Sequence, residues 1–190
     1  MARVPYLHRE DAGDANQALY DRLEKERKVP TANIFLALAN APALLDAFLS
    51  YANALRDVSE LSPKLRELAI LTVGHATGSE YEIAHHQSHG LKAGISPEQL
   101  AAVADFEAAA VAGEPVFDEA ELAVMRLAKE STLKVAVAPD VWKAAAAYLT
   151  DRQMTELALT IGWYNSGVRL MALLDIELED GYAAVLPAVR

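Results

Sequence analysis

Between Gly74 and His89 the chain carries His75, His85, His86 and His89, four of its five histidines, together with Glu80 and Glu82. Imidazole titrates nearest neutral pH and carboxylates are its usual orienting or proton-exchanging partners, so this window suits general acid–base chemistry. On a helix turning about 100° per residue, Glu82, His85, His86 and His89 fall on one narrow stripe. Glu67 sits in a mostly apolar run, Leu65 to Val73, where a charge needs a partner. A chain reversal at Thr77-Gly78 would return it to the stripe. A carboxylate beside an imidazole under apolar cover is a tunable proton-transfer pair. Cofactor-free decarboxylation or isomerisation needs little more: a group to hold the leaving carboxylate or enolate, and an acid to reprotonate carbon.

The elements that must position these residues read as helices throughout. Asp14 to Arg27 has apolar positions at helical spacing, and after a break at Pro30 so do Ala32 to Ala39 and Pro42 to Leu55. Ser62-Pro63 offers an N-cap and a preset first helical residue for a helix to about Ala76, closed by Thr77-Gly78. Ser79-Glu80-Tyr81-Glu82 fits a capping box, and Gly94 stands where a left-handed residue ends a helix, so Glu80 to Ala93 is predicted helical. Ser96-Pro97-Glu98-Gln99 opens another, ending before Gly113. Asp118 to Glu130, Pro139 to Leu149, and Thr150 to about Leu174 follow, the last with a Thr150–Gln153 capping box. Strand alternation is absent and the fold class is all-α. Gly113-Glu114-Pro115 reads as a loop, so a single domain spans 1–190: N-terminal helices to 60, active-site helices over 61–112, and a second helical half over 113–190. A weak internal repeat aligns Glu67–Gly74 with Glu156–Gly162; only the first copy leads into histidines.

Composition narrows the classes. A chain of 190 residues, 53% of them hydrophobic, is long enough for one stable core. It has no cysteine, which removes disulfides, thiolate nucleophiles and thiolate metal sites. With 27 acidic against 17 basic side chains and no Lys/Arg run, neither nucleic acid nor anionic membrane is an expected partner. No apolar run is long enough to span a bilayer, and Met1–His8 lacks a signal-peptide pattern, so a cytoplasmic location is expected.

The succession Arg66-Glu67-Leu68, Thr77-Gly78, Ser79-Glu80-Tyr81-Glu82-Ile83-Ala84-His85-His86 and Ala93-Gly94-Ile95-Ser96 resembles the core of the carboxymuconolactone decarboxylase family, whose wider group includes the alkylhydroperoxidase D-like (AhpD-like) proteins. Val4-Pro5-Tyr6-Leu7, Asn33-Ile34-Phe35 and Tyr164-Asn165 extend the likeness over most of the chain. In the peroxidase branch a helical Glu precedes a C-x-x-C-x-x-x-H motif. The matching positions here are Glu67, then Ser79 and Glu82, then His86. Both redox cysteines are missing, so thiol peroxidase chemistry is not expected. The resemblance implies an AhpD-like helical bundle that assembles into homotrimers or hexamers, and a lyase-like, cofactor-free activity on a small lactone or carboxylic acid.

Structural readings compete at each position. Glu82 at N3 suits a capping box, His85 and His89 suit a solvated face, and His75 suits a helix C-terminus. Tyr81, Trp163 and Tyr164 suit packing. The expected catalytic set is Glu67, Glu82 and His86, with Tyr81, His89 and Arg169 binding substrate and no metal. Arg56 and Arg66 are further cations for an anionic substrate. Two alternatives stand beside this set: a non-catalytic small-molecule-binding oligomer, and a mononuclear metal enzyme using Glu82-x-x-His85 or the His85/His89 pair.

Overall fold

The computed structural model describes residues 2–13, 16–27, 31–111 and 115–182, and among these are helices and turns but no strand. In chain order the helices are α1 (Gln17–Arg27), α2 (Asn33–Leu38), α3 (Pro42–Asp57), α4 (Pro63–Thr77), α5 (Glu80–Lys92), α6 (Pro97–Ala102), α7 (Phe106–Ala109), α8 (Glu119–Lys134), α9 (Pro139–Ala146) and α10 (Asp151–Leu174). Short 3-10 turns occupy Arg9–Asp11 and Val103–Asp105. The all-α expectation holds. None of the described helices is long and apolar enough to cross a membrane.

The described residues divide into two compact units, one of residues up to 57 with 169–181, the other from 58 to 168 with Tyr182. In the second unit α4 is the central element. Every residue from Glu67 to Gly74 is buried, the consequence of a helix that is apolar nearly all round and so must be covered on all sides. The cover comes from α5, α8 and the Val103–Asp105 turn. Leu68, Leu71, Ile95, Leu100, Val103, Phe106, Phe117 and Met125 form one cluster. Each fully buried large side chain there contributes about 1.5–3 kcal/mol by leaving water.

Two residues, Gly78 and Ser79, turn α4 into α5. Gly78 takes the left-handed conformation with φ +67, and the Ser79 N–H donates to the Gly74 carbonyl at 2.9 Å. Gly74 lets the helices approach: a Cβ there would stand 3.1 Å from Ile83 Cγ1. Gly94, at φ +94, follows α5 as expected, and the Ser96–Gln99 and Thr150–Gln153 capping bonds both form.

Three local expectations are corrected. Ser62 precedes α4 without a side-chain capping bond, its carbonyl alone accepting from Arg66 N–H. The helix expected from Pro97 to before Gly113 breaks at Val103–Asp105, where Asp105 leaves helical geometry (φ −135, ψ 52) and buried Phe106 joins the core. The helix after Pro139 ends at Ala146 rather than Leu149. Asp14, Pro30, Gly113 and Glu114 lie outside the described residues.

The first unit gathers Leu19, Tyr20, Leu23, Leu36, Ala39, Leu45 and Leu49 around α1, α2 and α3. The buried Tyr20 donates its hydroxyl to the Leu7 carbonyl at 2.7 Å, and the partly exposed Asn33 side chain donates to the Glu177 carbonyl at 2.9 Å.

Candidate active site

Because α5 folds back on α4, residues nineteen apart in sequence meet: His86 Nδ1 and Glu67 Oε2 are 2.7 Å apart. Each residue is only 5% exposed. The other ring nitrogen, Nε2, faces Glu82 Oε2 at 3.4 Å, long for a hydrogen bond. Helix α10 adds two walls. Tyr164 meets the His86 ring edge-on at 5.0 Å between centroids, and a Cβ on Gly167 would lie 3.5 Å from Glu82 Oε1. His89, one turn beyond His86 and exposed, tilts its ring 5.3 Å from that of His86.

Burial pushes the Glu67 carboxyl up, but the charge of His86 and its hydrogen bond, with His89 and Arg66 behind them, outweigh burial and hold it below the usual glutamate range. Glu67 is therefore a carboxylate at neutral pH, able only to accept, and His86 Nδ1 carries the proton between them. That fixes the other side of the ring. The Nε2 edge faces the Glu82 carboxyl, so the imidazole is anchored on one nitrogen and meets a second carboxyl with the other.

Glu82 does not complete the capping box that its N3 position suggests. Ser79 Oγ accepts the Glu82 N–H at 3.4 Å, whereas the Ser79 N–H is taken by Gly74. Both carboxylate oxygens of Glu82 face the site, one toward His86 and the other toward Gly167.

His85, about 100° round the helix, belongs to a different group. Its ring stacks on Tyr81 (4.4 Å, 15°) and on Tyr182 (4.1 Å, 17°). Tyr81 thus stands with His85. His75 is half-buried, and burial lowers its pKa. Arg169 is exposed on the last turns of α10 and belongs to the first unit. Tyr164 was assigned to packing in the sequence, and nothing in its spacing pointed to His86. The nearest signal was the repeat, which matches α10 to α4.

The donors that cluster with metal-ligating spacing are Glu67, His86 and His89, one atom of each lying within 4.8 Å of the others. His85 is not among them. Any pairing through His85 would compete with its two aromatic stacks.

Comparison with known proteins agrees with this architecture. The model of the Carboxymuconolactone decarboxylase family matches residues 42–130, which take in α3 to most of α8 and both strongly paired site residues. The matched segment is similar to that family, and the chain contains no cysteine. Among solved structures, a variant of the debrominase Bmp8 bound to 2,3,4-tribromopyrrole shares 19% identity at a TM-score of 0.78, covering 95% of this chain and 93% of its own. An uncharacterised peroxidase-related protein with an alkylhydroperoxidase AhpD core from Ralstonia eutropha JMP134 shares 18% identity at 0.77, covering 99% and 97%. A protein of unknown function from Agrobacterium tumefaciens, a suggested antioxidant defence protein AhpD, shares 16% at 0.66, covering 75% and 94%. Likeness at these identities carries the fold and not the chemistry. No curated protein matches the sequence.

Proposed function

We propose that the chain is a cofactor-free lyase or isomerase that moves a proton to or from a carbon of a small lactone or carboxylic acid. The observation that carries this reading is the buried His86 ring with a carboxylate on each nitrogen, Glu67 at 2.7 Å and Glu82 at 3.4 Å. In a decarboxylation the C–C bond to the leaving carboxylate breaks, its electron pair passes to an enolate, CO2 departs, and the proton shared by Glu82 and His86 Nε2 goes to carbon. Glu67 stabilises the imidazolium form through Nδ1. Arg66, whose charge acts on Glu67, is a counter-charge for an anionic substrate in this unit. Tyr81, His89 and Arg169 remain candidates for substrate binding, the first two on α5 with the ring. The same reading takes the working form to be a homotrimer or hexamer, as the family resemblance implies.

The test is a panel of unsaturated γ-lactone and β-keto carboxylic acids followed in 2H2O by NMR. Turnover with deuterium entering at carbon, lowered about 100-fold or more in Glu82→Gln, supports the reading. Turnover untouched by Glu82→Gln and His86→Ala overturns it, as does binding of these acids without any turnover, which would make the chain a small-molecule-binding scaffold.

A further inference from the structure

We infer that Glu67, His86 and His89 form a site for a first-row divalent transition metal, and that an ion bound there shuts off the proton-transfer chemistry. One ligand atom from each of the three lies within 4.8 Å of the others, close enough for one ion to draw them together with small side-chain rotations. The donors come from two helices joined by the two-residue Gly78-Ser79 turn, so their backbone is already fixed in place. Two nitrogens and one carboxylate oxygen are a borderline donor set that suits zinc, cobalt or nickel, whereas calcium and magnesium favour all-oxygen sites. Three protein ligands leave at least one coordination position open.

The surroundings also supply what a ligating imidazole needs. Both nitrogens of His86 face carboxylates, Glu67 on Nδ1 and Glu82 on Nε2. With Nδ1 turned to the metal beside Glu67, Nε2 keeps Glu82 as a partner that holds the ring and its tautomer. His89 is exposed while Glu67 and His86 are buried, so the site opens on one side, where an ion can enter and leave.

Binding itself does not depend on the proposed reaction; the inhibitory effect does, because the ion takes the lone pair or the carboxylate that proton transfer uses. The experiment is calorimetric titration of chelator-treated protein with Zn2+ alone, paralleled by Co2+ with its visible absorption bands as the readout of nitrogen and oxygen coordination. One ion is expected per chain, with affinity weakened at least about tenfold in His89→Ala and in Glu67→Gln, since even groups that only orient a ligand are worth about 10–100-fold. His85→Ala is expected to bind as the parent does. His89 is exposed, so its truncation keeps the test valid if Glu67→Gln fails to fold. Absence of saturable binding, or binding equal in the parent and His89→Ala, overturns the proposal. Site-specific binding that leaves turnover of the acid substrates intact upholds the metal site and overturns its inhibitory effect.

Discussion

Glu156 Oε2 accepts the Leu61 N–H at 2.9 Å, and the same oxygen takes the Glu60 N–H at 2.8 Å and the Ser59 hydroxyl at 3.0 Å. Arg152 Nε donates to the other oxygen at 3.0 Å. Glu156 stands in the second copy of the repeat where Glu67 stands in the first, so matching positions carry different duties. One carboxylate ties the entry of α4 to α10; the other holds an imidazole.

That tie gives a pH prediction. Although burial raises the Glu156 carboxyl, bonds from Arg152, Ser59 and the Leu61 and Glu60 amides lower it below its ordinary 4.5. A carboxyl with a depressed folded-state pKa contributes stability that is complete above about 4.5 and is lost as pH falls through the lower, folded value. Thermal unfolding of Glu156→Gln is therefore expected to show a shallower loss of Tm than the parent below pH 4.5. Parallel curves would place the acid sensitivity elsewhere.

Removing one member of the buried pair separates packing from chemistry. His86→Ala leaves the Glu67 carboxylate buried without its main partner and is expected to cost about 3 kcal/mol in denaturant unfolding. Adding Glu67→Gln should recover part of that loss rather than deepen it, because the stranded charge is gone. Additive losses would mean that the two side chains act on stability independently.

Glu82 and Ser79 share a helix start but are expected to fail differently. Ser79→Ala removes the acceptor of the Glu82 N–H and should cost about 1 kcal/mol with turnover retained. Glu82→Gln should keep its Tm and lose about 100-fold in turnover, since its carboxylate faces His86 rather than the Ser79 amide. Full activity in Glu82→Gln would return that residue to a structural part.

Gly90 fixes the rotation of α5. A Cβ there would stand 3.1 Å from Ile95 Cδ1 and 3.4 Å from both Leu100 and Leu71. Three aliphatic neighbours cannot all retreat, so Gly90→Ala is expected to destabilise by about 1–3 kcal/mol. Equilibrium unfolding measures it, and an unchanged midpoint would show that the core relaxes freely.

Much of the scaffold was legible because its signals are local. Gly78 and Gly94 mark left-handed residues that other side chains resist, and the Ser96 and Thr150 boxes complete their bonds within three residues. The Glu67–His86 pair was legible because a charge in an apolar helix demands a partner, and a short turn sends the next helix back past it. What escaped has no local cause. Glu82 could face its own helix start or the site, and the residue it meets on the site side, Gly167, lies far along the chain. Tyr164 meets His86 only through the packing of α10, and Tyr182 meets His85 from beyond it. The break at Val103–Asp105 arises because Phe106 enters the core, which overrides the helical propensity of the alanines around it.

The brevity of the α4–α5 link also sets an order of events during folding. Contact between Glu67 and His86 closes a loop of only nineteen residues, a small entropic cost that a growing chain can meet soon after Lys92 emerges from the ribosome. Tyr164 and Gly167 arrive more than seventy residues later. The pair can thus meet before α10 covers it, while water still solvates both partners.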